Sequence, residues 1–271
     1  MNFLACFFAA LLAAQAVRGF LRLRATTLAA PCLWAALSAS CLALSAIIEP
    51  KLEGIGLSAF HFAIAATTVC PLVAVLGAKR PQDRGWQWVV LTLWIVLVWP
   101  AAQAVMLPAG IRLELFVAWK LFLWGLIALG LINFLPTRNW RAAILVAAGQ
   151  IVLLREHLWL GESLSPAWDQ LVGVGCLLSA TTLVSCRRPE ATDRLSSFSE
   201  QWKSFRDRYG TFWALRILGR VNQTAELRDW PLRLHWSGFE TQKNQQPTET
   251  QLAELGQALA TLLRRFVAQD D

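Results

Sequence analysis

Six side chains that could do chemistry sit inside, or at the ends of, otherwise apolar stretches: Lys120, His61, Gln103, Glu156, His157 and Asp169. An ammonium, imidazoles and carboxylates held among apolar residues typically mark a solute or proton path. A lysine at mid-helix costs on the order of 2.5–3.5 kcal/mol on insertion scales, so it faces protein or water rather than lipid. The functional reading is a polar cavity opening outward. Lys120 and His61 would form its floor, with Glu156 or Asp169 as counter-ions. In the plainer reading Lys120 reaches the headgroups along a depth of about 10 Å, and His61 and Gln103 cross-link helices.

Covalent and metal chemistry find little support. The chain has no Gly-x-Ser-x-Gly, no His-Glu-x-x-His, no Walker-type loop and no paired acidic motif. Arg155-Glu156-His157 lacks the second histidine one helical turn away that zinc requires. The 6 cysteines, at 6, 32, 41, 70, 176 and 186, lie in or beside apolar runs without a Cys-x-x-Cys pair and read as small packing residues. Asn222-Gln223-Thr224 matches a glycosylation sequon by chance. No metal, no cofactor and no enzymatic activity are expected.

The elements that must position these groups are membrane helices. Apolar residues make up 56% of the 271, and charged residues 16%, where an ordinary soluble domain has about 25%. Mean hydropathy is positive. The net charge of +7 does not point to nucleic acid, because the surplus sits in short turns beside apolar spans rather than in a basic run.

The predicted fold is all-α: a bundle of about seven transmembrane helices near 1–17, 25–48, 55–78, 86–106, 113–135, 140–160 and 167–186, followed by a small, mainly helical cytoplasmic domain over 187–271. The stretch 113–135 is read as the one the others pack around. The first span is read as uncleaved, since no basic residue precedes it, although Ala14-Gln15-Ala16 could pass for a peptidase site. Ala35, Ala39 and Ala43 recur every four residues and allow close approach of a neighbour. Pro71 and Pro100 predict kinks. The segment 140–154 is too short to span unless it runs on toward Leu160 or is re-entrant.

Turn charges set the sidedness. Arg18, Arg22 and Arg24, then Lys79, Arg80 and Arg84, then Arg138 and Arg141, then Arg187 and Arg188 follow alternate spans. The opposite ends hold Lys51, Arg112 and Arg155. Positive turns stay cytoplasmic, so the expectation is a plasma-membrane protein with its N-terminus outside and C-terminus inside.

Beyond Arg187 the pattern changes. Leu195, Phe198, Trp202, Phe205, Tyr209 and Phe212 line one helical face, and Trp213, Ile217 and Val221 continue it after a rotation at Gly210. Phe198, Trp202, Phe205, Tyr209, Phe212 and Arg206 are the candidates for contact with the membrane surface. Docking on the terminal helix, a partner protein or a second copy is the other reading. A short strand at 232–236, a polar connector at 240–247 and a capping box at Thr248-x-x-Gln251 complete the tail.

The lipid bilayer is thus one expected partner, with a protein or second copy on the tail as another. The leading functional expectation is a non-enzymatic scaffold or sensor with the tail as its interaction module. A small-solute permease around Lys120 is the alternative, and a membrane-embedded enzyme the third.

Overall fold

The computed structural model describes residues 2–107, 113–160, 165–185, 194–241 and 247–266. Arg112, Arg187, Arg188, Cys186 and most of the expected connector lie outside the described residues. The chain is almost entirely helical: α1 (Asn2–Leu23), α2 (Ala29–Ile48), α3 (Gly54–Thr67), α4 (Cys70–Leu76), α5 (Gln82–Met106), α6 (Val117–Phe134), α7 (Trp140–Leu153), α8 (Pro166–Ser185), α9 (Arg194–Leu227), a hairpin of β1 (Leu232–His235) and β2 (Gly238–Thr241), and α10 (Glu249–Leu263). Among the described residues, five helices are long and apolar enough to cross a membrane, counting α3 with α4 as one. The outer faces of the bundle expose large apolar side chains throughout, among them Leu4, Leu33, Ile95, Leu121, Ile132 and Val172.

Several boundaries differ from expectation. α1 runs on to Leu23, so Arg18 and Arg22 belong to the helix rather than to a turn after it. α6 starts only at Val117, which puts Lys120 in its first turn instead of deep within a span. α7 stops at Leu153 and passes into a single 3-10 turn, Arg155–His157, so it does not continue toward Leu160. α5 carries Pro100 without any interruption of the helix.

The central element is also different. The third span is 67% buried, whereas the other four candidate spans are 17–28% buried. The helices therefore pack around α3 and α4 rather than around 113–135. Pro71 explains what happens there. It lacks an amide hydrogen, and its ring crowds the carbonyl four residues back, at Thr67. The helix breaks at Thr68-Val69, and the Leu72 amide bonds the Val69 carbonyl at 3.2 Å instead of that of Thr68.

Side chains from other helices take over the freed carbonyls. The Ser38 hydroxyl of α2 stands 2.9 Å from the Thr67 oxygen, and the Gln150 amide of α7 donates to Thr68 at 2.9 Å. At the C-terminal end of α4, where carbonyls have no helical donor, the Trp86 indole donates to Val73 at 3.0 Å. Trp213 donates to Val75 at 3.1 Å, and Thr27 to Ala78 at 2.9 Å. The Trp86 ring lies so close to Gly77 that a Cβ there would collide with it.

The tail is fastened to the same end of the bundle. Trp202, Phe205, Tyr209, Trp213 and Phe266 form one cluster with Leu255 and Leu259 of α10, Leu232 and Leu234 of β1, and Leu28, Val75 and Ala78 of the bundle. Phe266 is its keystone, with ring centroids of Phe205, Tyr209 and Trp213 at 4.8, 4.9 and 5.4 Å. Backbone bonds run from Thr27 to Phe266 and from Arg80 to Arg265, each at 3.1 Å.

On the other flank the turn between α6 and α7 meets the tail. Arg138 makes a two-pronged ion pair with Glu200 at 2.9 Å per contact. The Asn139 amide donates to the Asp207 carbonyl, and the Trp236 indole to that of Pro136. Asn222 is a strand mimic: its amide both accepts from and donates to the backbone of Leu234. The expected single strand is a two-stranded hairpin, and the capping box of Thr248 and Gln251 is formed.

Gly210 marks the rotation in the stripe. Its φ of 79° divides α9 into two helical halves, and a Cβ there would run into the Asn133 amide, which accepts from the Phe212 amide hydrogen at 3.2 Å. Gly210→Ala should cost about 1–3 kcal/mol, read as a lowered thermal stability of the full chain in detergent. Gly219→Ala, in open space on the same helix, should not.

The hydrogen bond from Arg138, aided by Lys203, holds the Glu200 carboxyl down at about 2 against an ordinary 4.5. Its stabilising contribution is complete above 4.5 and fades as pH falls toward about 2. Discounted for the exposed Arg138, Glu200→Gln should cost about 1–2 kcal/mol at neutral pH. The difference in thermal stability between variant and wild type should shrink through the acidic window.

Candidate functional site

The expected polar side chains separate into two groups. At the end of the bundle opposite the tail, His61 of α3, the turn residues Glu156 and His157, and Asp169 in the first turn of α8 border one cavity of about 50 Å³. Ser45 and Gln170 close it, hydrogen-bonded to each other. His61 Nε2 lies 3.8 Å from a Glu49 carboxylate oxygen. His157 is 2% exposed, with its ring edge-on to Phe62 at 5.0 Å. Its Nδ1 has no partner among the described residues.

Lys120 and Gln103 do not line this cavity, although the Lys120 ammonium is near enough for its charge to act on His157. Lys120 extends over the Trp159 ring, with Nζ 5.6 Å from the centroid, a cation–π contact. Gln103 is exposed in the last turn of α5. The outward cavity with Lys120 as its floor is therefore corrected to a smaller chamber of histidines and carboxylates. A water requires about 10–15 Å³ of such space, so the chamber has room for a few waters and no larger solute. Among the described residues no group of three or more His, Cys, Asp or Glu side chains could hold a metal ion.

The tail candidates are placed just as firmly. Trp202, Phe205 and Tyr209 are no more than 5% exposed, packed on α10, the hairpin and the bundle end. Arg206, also 5% exposed, bonds Asp207 through Nε and Nη2, donates to the Trp236 carbonyl at 2.6 Å, and lies over the Trp236 ring. These four are consumed by the fold and are not available to a membrane surface or a partner. Phe198 is half-buried on the same cluster, and Phe212 is 40% exposed.

A larger space appears where the sequence was read only as packing. Two adjoining apolar clefts of about 330 and 390 Å³ share walls at Cys32, Ala35, Pro71, Leu72, Ala142 and Val146. They arise because short side chains on α2 and α7 face each other across the break at Pro71, and neither helix can fill the gap. Cavities of roughly 300–1,000 Å³ with apolar walls and a few polar groups are the usual form of a ligand site.

The polar groups of the cleft are few and specific. Gln150 is fully buried in one wall, and its Oε1 has no partner among the described residues. Asn139, Asp207 and Arg208 stand at the end nearest the tail. The available sequence signal was the pairing of Ala35 and Ala39 with Ala142, Ala143 and Ala147 around a mid-span proline. Whether such alanines touch or stand apart depends on helix placement, which spacing does not encode. Compared with known proteins, the chain matches no family model, no curated protein and no solved structure.

Proposed function

We propose that this chain is a non-enzymatic sensor embedded in the plasma membrane by about seven helices, responding to an amphiphile whose hydrocarbon chain enters the cleft between α2, α4 and α7. The cytoplasmic C-terminal unit is its output. One observation carries the reading: the segment that walls the cleft is the segment that holds the tail. Val75 lines the cleft while its carbonyl receives the Trp213 indole, and Asp207 and Arg208 of α9 stand at the cleft's end. A ligand that fits one arrangement of this wall better than another shifts the tail by that difference in affinity.

The sidedness rests on charge. Lys79, Arg80, Arg138 and Arg141 gather at the tail's end of the bundle, and positive turns remain in the cytosol. The remaining two crossings are α2 and the short α7. A 14-residue helix such as α7 rises about 21 Å and reaches headgroups with help from the turn that follows. Lys120 does not line the polar chamber, so the sensor reading draws on the apolar cleft instead.

Two experiments test this. With the native cysteines replaced by alanine, an impermeant maleimide applied to intact cells should label Ser165→Cys and spare Gln82→Cys. The opposite pattern inverts the topology.

For the cleft, a diazirine-bearing palmitate is photolysed with the full chain in nanodiscs. Adducts are expected at Leu72 and Val146, and their yield should fall at least fivefold in Ala35→Phe/Ala142→Phe. Amide exchange over 205–213 should slow on loading palmitate in the wild type only. Adducts confined to the outward-facing Leu33 and Ile144, or exchange that ignores palmitate, would overturn the sensor reading.

A further inference from the structure

A separate cavity, of about 320 Å³, lies where the second half of α9, the turn after α10 and the loop after α4 converge. Its walls carry Lys79, Arg216, Arg220 and Arg265, with Trp213 at the base. Lys79 Nζ and the Arg216 guanidinium both rest on the Trp213 ring, 5.7 and 5.0 Å from centroid. The arrangement is held by bonds already described: Trp213 to the Val75 carbonyl, and the Arg80 amide to the Arg265 carbonyl.

The charge balance differs from that at several other arginines on and beside the tail. Arg138, Arg206, Arg228 and Arg233 each pair with a carboxylate, at distances from 2.7 to 3.3 Å. Among the described residues, none of the four cations around this cavity makes such a pair. The consequence is visible in Lys79. Burial, then the charges of Arg265, Arg220 and Arg216, lower the pKa of its ammonium from the ordinary value. Four like charges facing one open space repel one another, and an anion entering that space removes the repulsion.

We infer that this cavity is a binding site for a phosphate-bearing anion, gripped by the forked guanidinium groups of Arg216, Arg220 and Arg265 and by the Lys79 ammonium. Guanidinium groups recognise phosphate through paired, parallel N–H···O bonds, and the ammonium adds a point charge. A phosphomonoester or pyrophosphate suits the site better than a carboxylate, because it brings two or more negative charges and several acceptor oxygens on one centre. The site goes beyond the sensor reading and uses none of the cleft residues.

Two sources share this chemistry. Lys79 follows the end of α4 closely, so the cavity stands against the end of a span, at the level where the headgroups of a cytoplasmic leaflet would lie. The same groups would also hold a soluble phosphate compound.

The test uses the full chain in detergent, titrated calorimetrically with inorganic pyrophosphate, with dihexanoyl phosphatidic acid, and with dihexanoyl phosphatidylcholine as the control whose zwitterionic headgroup has no net charge. Saturable binding of at least one phosphate probe is expected, along with a raised thermal midpoint. Arg216→Gln/Arg220→Gln should weaken it at least tenfold, while Arg233→Gln should leave it unchanged. Phosphatidic acid binding tightly with pyrophosphate weak identifies a lipid headgroup. Equal binding with mutual competition identifies a soluble phosphate.

Absence of saturable binding by both phosphate probes, equal binding of phosphatidylcholine, or affinity that survives the double substitution would overturn the site. If the double variant is not monodisperse, Arg265→Gln is judged by the same criteria.

Discussion

A backbone carbonyl without a donor in a water-free interior costs several kcal/mol, and a proline inside a spanning helix creates such carbonyls by necessity. In this chain Pro71 does so at Thr67 and Thr68, the end of α4 adds the carbonyls of Val73 to Ala78, and neighbouring elements meet both needs. Ser38, Gln150, Trp86, Thr27 and Trp213 come from five different parts of the sequence, and all bond carbonyls between Thr67 and Ala78. The burial of the third span follows from this: no helix facing lipid could recruit so many partners. The break that Pro71 imposes also keeps α2 and α7 apart, so the requirement for hydrogen bonds and the presence of an apolar cleft have one origin.

The tail is part of the same solution. Trp213 adds a second donor to the Val75 carbonyl, which already accepts from the Ala78 amide at 3.1 Å, and the aromatic cluster around Phe266 fixes where that indole points. The Arg138–Glu200 clamp and the Asn139–Asp207 bond hold the opposite flank. A unit tied at both flanks by directional bonds is held in register with the helices that carry its partners.

Much of this was legible from residue types and spacing. Apolar runs separated by basic turns gave the helical class, Pro71 gave the break, and Gly210 gave the rotation in the stripe. The Thr248 capping box was readable because its donors and acceptors are local. Helix ends were less legible: Lys120 falls in a first turn because residues 113–116 stay outside the helix, with Phe116 extended, a choice that hydropathy alone does not register. The fate of the aromatic stripe was also hidden. An amphipathic face signals that something covers it, and the covering surface here comes from Leu28, Val75, Ala78 and Phe266, which are distant in sequence. The cleft depends on alanines that fail to meet, and the basic cavity on cations from three separate segments, so neither leaves a periodic trace.

The bond between Trp213 and Val75 also imposes an order on biogenesis. Its partners are 138 residues apart, and at translation rates of about 5–20 residues per second the donor emerges on the order of ten seconds after the carbonyl it serves. Through that interval the end of the third span is without its indole, and Leu28 and Ala78 lack their aromatic cover. The helical bundle therefore reaches its final packing only after the ribosome has delivered the tail.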